Sequence, residues 1–110
     1  MADPVWLLVM FDLPVQTKQQ VNAANGFRHM LIDDGFGRVQ LSVYSKYFIN
    51  SNGTARCVGK LKYNIPAGGA VRILRITDRQ WGSTVRIESS KSGEALEKVV
   101  EKAPEALLLF

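Results

Sequence analysis

The stretch Val5-Trp6-Leu7-Leu8-Val9-Met10-Phe11, followed by Asp12-Leu13-Pro14, decides the fold of this chain. An unbroken apolar run with β-branched and aromatic members is typical of a central strand that is buried on both faces. The run has seven residues and no basic segment before it. It is therefore predicted to be neither a membrane span nor a signal peptide.

Two helices are predicted from apolar residues that recur at helical spacing. Ala24, Phe27 and Leu31 share one face of a helix over about 15–34, which ends at Gly35-Phe36-Gly37. Polar cap residues at 50–52 open a second helix that runs to about residue 64 and stops before Pro66.

Alternating segments predict the remaining strands. Residues 38–49 form one strand, or two strands joined by a bend, and residues 70–77 and 85–88 form two more. The order strand, helix, strand, helix, strand, strand in a short chain indicates an α/β fold. More narrowly, it indicates a two-layer α+β sandwich of the ferredoxin-like type.

The chain is predicted to divide into a ferredoxin-like domain at 1–88 and a tail at 89–110. The tail carries a short helix over 94–102 and ends in Leu107-Leu108-Leu109-Phe110. Four bulky apolar residues need a sheet edge to cover them. That edge belongs either to the chain's own sheet or to a second subunit, with which the strand is exchanged in a homodimer.

Composition limits the classes of site that the chain can hold. Its 110 residues suffice for one domain. One cysteine, Cys57, and one histidine, His29, exclude an internal disulfide and a Cys/His zinc site. A cytoplasmic location fits this cysteine usage best.

The net charge of +4 conceals a strongly basic middle. Residues 35–87 contain nine basic residues and one acid, and both flanking segments are net acidic. Such a segment predicts a polyanionic partner that is bound through its phosphates, hence a nucleic acid. The candidate contacts are Arg38, Lys46, Arg72, Arg75 and Arg79.

Asp12 is the acid that directly follows the buried strand. One interpretation is a turn or helix-entry aspartate. The other is a Mg²⁺ ligand, because this cation is held by one or two carboxylates together with water and phosphate oxygens. A homodimer would supply two copies of Asp12 across its axis.

Three blocks of the chain, in order, resemble one known family. They are Leu8-Val9-Met10-Phe11-Asp12-Leu13-Pro14, the segment from Gly35 to Tyr44, and Pro66 to Leu74 followed by Thr77-Asp78-Arg79-Gln80. They are similar to the second core family of CRISPR-associated proteins in its type II form. The resemblance implies a ferredoxin-like homodimer, with C-terminal strands exchanged or packed across subunits. It also implies that the dimer bridges two dimers of the CRISPR integrase and binds protospacer duplex DNA.

The resemblance further implies a metal-dependent endonuclease in which Asp12 binds Mg²⁺, with one ion shared across the dimer. Phe11 and Asp12 match the family's aromatic-Asp pair, Arg38 its basic residue, and Ser42 and Tyr44 its unit near the dimer axis. The segment 18–24 is nearly neutral where relatives are basic, which moves the expected DNA contact to the middle of the chain. An alternative function is a stand-alone metal-dependent ribonuclease of the toxin type, acting on single-stranded RNA.

Overall fold

The first strand lies at the centre of a four-stranded antiparallel sheet, in the computed structural model, which describes residues 4–90 and the backbone of 95–98. The strand order is β2-β3-β1-β4, and a separate two-stranded sheet joins β5 to β6. This topology confirms the ferredoxin-like prediction. The elements are β1 (Val5–Asp12), α1 (Lys18–Asp33), β2 (Gly37–Gln40), β3 (Val43–Phe48), α2 (Thr54–Asn64), β4 (Ala70–Thr77), α3 (Asp78–Gly82), β5 (Arg86–Ser89) and β6 (Ala95–Lys98).

The alternation of side chains along β1 gives the sheet two unlike faces. Leu7, Val9 and Phe11 belong to the hydrophobic core, together with buried residues of α1 and α2. We call this side the helix-covered face. Trp6, Leu8 and Met10 point to the opposite side, the open face, where Leu8 and Met10 are only half-buried. The sequence predicts burial of β1 on both faces. Within a single chain, β1 is fully buried on the helix-covered face and only partly buried on the open face.

Helix α1 begins three residues later than the apolar spacing predicts, because a capping box sets its start. Thr17 Oγ1 accepts a hydrogen bond from the Gln20 backbone N–H at 3.1 Å, and Gln20 Oε1 accepts one from the Thr17 N–H at 3.0 Å. These bonds satisfy N–H groups that the first turn of a helix leaves free. Among the described residues, no helix is long and apolar enough to cross a bilayer.

The predicted strand at 38–49 is two strands, and the turn between them falls at residues 41–42. The register between β2 and β3 shifts between Arg38 and Gln40, which marks a bulge in the edge strand. Of the two alternatives for this segment, two strands joined by a bend is therefore the correct one, and the bend is a hairpin turn that contains neither glycine nor proline.

Near the C-terminus one expectation is confirmed and one is wrong. The strand predicted at 85–88 is β5, which pairs with β6 and not with the main sheet, with Arg86 opposite Lys98. The short helix predicted over 94–102 is replaced by strand β6 (Ala95–Lys98). A helix of this length is marginal on its own, and backbone pairing with β5 outweighs its propensity. Residues 107–110 lie outside the described part of the chain, so the edge strand predicted there stays a prediction. The division of the chain at residue 88 also stays a prediction.

Gly69, in the turn before β4, is closely packed against its neighbours. A Cβ on Gly69 would lie 2.5 Å from Leu13 Cδ2 and 3.1 Å from the Pro66 carbonyl oxygen, and Leu13 is buried. We expect Gly69→Ala to lower the free energy of unfolding by about 1–3 kcal/mol in denaturant titrations, as overpacking does.

Gly59→Ala is the matched control, because a Cβ at this position in α2 meets nothing within 4 Å. Alanine is favoured over glycine in a helix interior, so this variant should be more stable by about 0.5–1 kcal/mol. Equal stability of the two variants would contradict the close packing at Gly69.

Candidate nucleic-acid and metal site

Asp12 is the last residue of β1 and lies opposite Ala70 of β4. It is exposed, and no described residue hydrogen-bonds or pairs with its carboxylate. Because side chains alternate, Asp12 lies on the open face with Leu8 and Met10. Its carboxylate is therefore free to bind a cation at the rim of that face.

Phe11 holds the end of β1 in place. Its N–H donates to the Ser42 carbonyl oxygen at 3.0 Å. Its ring stacks on Tyr44, with centroids 5.7 Å apart, and meets Phe27 edge to face at 5.3 Å. The structure thus brings together the predicted trio of Phe11, Ser42 and Tyr44. Tyr44 is buried on the helix-covered face, so it contacts the ring of Phe11 and not the carboxylate of Asp12.

Arg28 of α1 is a neighbour of this cluster that the sequence reasoning missed. Its guanidinium carbon lies 5.4 Å from the centroid of the Phe11 ring, a cation–π geometry. Its Nε is buried and has no hydrogen-bond partner in the described part of the chain. The only signal in the sequence was a basic residue next to Phe27, which is too common a pattern to single out.

Arg72 is the predicted contact that stands nearest to Asp12 by register. It lies opposite Met10, two positions along β4 from the partner of Asp12, and on the same open face. Diagonal neighbours of this kind in an antiparallel pair are about 7–8 Å apart. A carboxylate and a guanidinium therefore flank one end of the open face, which suits a phosphate bound beside a cation.

The other predicted basic contacts do not join this patch. Arg75 is on the helix-covered face, where its Nη2 donates to Thr54 Oγ1 at 2.8 Å. Arg79 is on α3, beyond the end of β4, and Arg38 is exposed on the edge strand β2. Strand alternation separates Arg72 from Arg75, although the sequence grouped them.

Lys46 lies between aromatic rings on the helix-covered face. Its Nζ is 5.2 Å from the centroid of Phe48 and 5.9 Å from that of Phe36. The nearby Cys57 is half-buried, and burial raises the pKa of its thiol, an effect that the charge of Lys46 partly opposes. Because the thiolate is the reactive form of cysteine, Cys57 is not an activated nucleophile.

Helix α3 is anchored to the open face at the end opposite Asp12. The indole N–H of Trp6 donates to Asp78 Oδ1 at 2.7 Å, and Trp6 stacks on Trp81 with centroids 5.1 Å apart. The start of α3 is a second capping box, formed by Thr77 and Gln80. These contacts hold in place the helix that carries Arg79, and no apolar spacing in the sequence predicts that helix.

An apolar groove of about 510 Å³ runs along the open face between the sheet and the segment that leads into β5. Leu8, Val43 and Ile76 form its floor, and Val85 and Ile87 stand over it. Leu74, opposite Leu8 on the same face, is 48% exposed, and Val85 and Ile87 are more than 60% exposed. Apolar surface of this kind typically marks a protein contact.

The donor set around Asp12 fits Mg²⁺ best if a second chain contributes. No group of three or more potential ligand side chains gathers anywhere in residues 4–90. A hard cation of this size accepts one or two carboxylates and completes its shell with water and phosphate oxygens. Two Asp12 carboxylates from two copies of the chain would meet that requirement.

Comparison with known proteins assigns the chain to a family. The family model described as "CRISPR associated protein Cas2" matches residues 5–84. A protein of Paracidovorax avenae is 36% identical over 106 residues, covering 96% of this chain and 94% of its own length. One of Parvibaculum lavamentivorans is 40% identical over 78 residues, covering 71% and 77%. One of Streptococcus mutans is 31% identical over 85 residues, covering 77% and 79%.

A CRISPR-associated protein with a ferredoxin-like fold is therefore the class that the sheet and the matched blocks define. The chain belongs to the Cas2 family. Each of the three relatives is named "CRISPR-associated endoribonuclease Cas2".

Proposed function

We propose that this chain acts in CRISPR adaptation as a homodimer that bridges integrase dimers and binds protospacer duplex DNA. The observation that carries the proposal is the open face, which combines an apolar groove and the exposed Leu74 with Asp12 and Arg72 at one end of the face. The relation to the family's type II form and a cytoplasmic location are parts of the same proposal.

Dimerisation follows from the chemistry of the open face. Leu74 and Leu8 belong to one continuous apolar surface that neither α1 nor α2 covers. A second copy that packs its own open face there buries this surface in both chains, and a two-fold axis makes the contact self-complementary. Asp12 at the rim of each copy would then approach its symmetry mate.

Catalysis, if two Asp12 carboxylates hold Mg²⁺, would be hydrolysis of a phosphodiester. Bound Mg²⁺ supplies a Lewis acid for phosphoryl oxygens. The chain's own part is to hold the carboxylate at the end of a strand fixed by Phe11 and Ser42, and to place Arg72 beside it for a phosphate. The relatives' names support nuclease activity.

Dimerisation is tested with Leu74→Asp, which places a charge on the open face without touching the core. We expect wild type to sediment as a dimer and Leu74→Asp as a monomer, because burying an unpaired carboxylate is unfavourable by several kcal/mol. Ile32→Asp is the control, since Ile32 is 52% exposed on α1. A Leu74→Asp protein that stays dimeric, or a monomeric wild type, would contradict the proposed interface.

Duplex binding is tested with the single variants Arg72→Ala and Arg79→Ala. Each phosphate contact contributes about 0.9 to the slope of log K against log salt concentration, so each variant should lower that slope by about one. Lys18→Ala removes one charge from the first turn of α1 and should leave the slope unchanged. Unchanged slopes in both arginine variants would remove these residues from the DNA contact.

Asp12→Asn separates scaffold from catalyst, because it removes the charge and keeps the shape. We expect Mg²⁺-dependent strand cleavage to fall at least tenfold, the factor equal to ~1.4 kcal/mol. Dimerisation, co-purification with the integrase and spacer integration should remain. Asp33→Asn, an exposed change on α1, is the control.

Two results would overturn parts of this assignment. Cleavage by Asp12→Asn at the wild-type rate would exclude Asp12 as the metal ligand. Loss of integration in the same variant would make catalysis essential and count against a purely structural role.

A stand-alone ribonuclease of the toxin type is the second candidate, and the word endoribonuclease in the relatives' names supports its nuclease activity. It predicts cleavage of single-stranded RNA, and toxicity on expression, in cells that lack the integrase. The scaffold function predicts neither.

A further inference from the structure

Helix α2 presents a stripe of three residues to solvent on the side away from the core. Arg56, Gly59 and Tyr63 follow one another at spacings of three and four, so they lie above one another on one face. The opposite side of the helix carries Thr54 and Leu61, each 1% exposed. Tyr63 is 93% exposed, so nearly all of its ring is open to solvent.

The charge of this stripe is positive and unopposed. Helix α2 contains no acidic residue. Lys60, next to the stripe, pairs with Asp34 at 2.6 Å, whereas Arg56 pairs with no residue in the part of the chain that the structure describes. A polyanion is therefore the partner whose charge complements the stripe.

Gly59 lowers the surface at the middle of the stripe. Glycine is unfavourable in a helix interior, and a Cβ here would meet nothing within 4 Å, so no internal contact requires it. Without a side chain, a partner's backbone can approach the helix closely. Gly26 makes a similar opening on α1, but its stripe carries Asn22, His29 and Asp33, so it includes an acid and has neither an arginine nor a tyrosine.

We propose that the outward stripe of α2 is a docking site for single-stranded nucleic acid. Arg56 holds a phosphate, the strand passes over Gly59, and an unpaired base stacks on Tyr63. The stripe rises about 10 Å from Arg56 to Tyr63, which is the length of a few nucleotides of a single strand. A duplex keeps its base faces stacked, so the exposed ring favours a single strand.

This site is separate from the proposed function. It lies on the helix layer, and Asp12 lies on the opposite side of the sheet, so each can fail without the other.

The test is fluorescence anisotropy of a labelled oligouridine of about 12 nucleotides, within the range that one single-strand binding domain covers. Tyr63→Ala should weaken binding at least about fivefold, the factor that corresponds to ~1 kcal/mol of stacking. Tyr63→Phe keeps the ring and should bind like wild type. Arg56→Ala should lower the salt slope by about 0.7, and Arg56→Lys should not.

A matched pair of glycine variants separates docking from stability. Gly59→Gln fills the opening in the stripe, and Gly26→Gln fills the similar opening on α1. Both should unfold at or above the wild-type temperature, because glutamine is a better helix former than glycine. Only Gly59→Gln should weaken oligouridine binding.

Three outcomes would overturn the proposal. Unchanged oligouridine affinity in Tyr63→Ala would show that no base stacks on this ring. Equal losses of affinity in Gly59→Gln and Gly26→Gln would show that the stripe on α2 is not the specific site. If Tyr63→Ala weakens a blunt duplex as much as the single strand, the surface is a duplex site.

Discussion

The pairing of β1 with a strand on each side is the constraint on which the rest of the structure depends. Val9 stands opposite Tyr44 of β3 and opposite Ile73 of β4, and all three positions belong to the core or pack against it. A shift of one residue in either pairing would turn a neighbouring strand's apolar set to the other face. The register therefore decides which residues reach the core, and by the same alternation which residues stand beside Asp12.

That alternation divides the chemistry of β4. Arg72 and Arg75 are three residues apart, so they point to opposite sides of the strand. Arg75 is engaged by Thr54 under the helix layer, where it ties β4 to the start of α2. Arg72 stands on the open face at the end that Asp12 occupies. One strand thus supplies a structural arginine and a candidate phosphate contact, and only the register tells them apart.

The sequence was sufficient for the fold because its strongest signals are periodic. The apolar run of β1 and the spaced apolar residues of α1 predict the central strand and the helix that covers it. The helix boundaries were less predictable. Thr17 and Thr77 each fix the start of a helix through a capping box with the glutamine three residues later, and the spacing of apolar residues does not contain that signal. The surroundings of Asp12 depended on cross-strand register, which a single sequence does not encode locally.

The basic middle of the chain is left largely without internal compensation by this arrangement. Of the nine basic residues between 35 and 87, Lys60 pairs with Asp34 and Arg86 with Glu88. The other seven form no ion pair within residues 4–90. The single acid of that segment, Asp78, accepts a hydrogen bond from Trp6 instead. Charges of one sign repel one another in the folded chain, and that cost is offset when an anionic partner binds. Basic residues without an ion pair lie on the open face, at Arg72, and on the outer side of α2, at Arg56. The two proposed nucleic-acid sites therefore draw on different parts of the same uncompensated charge.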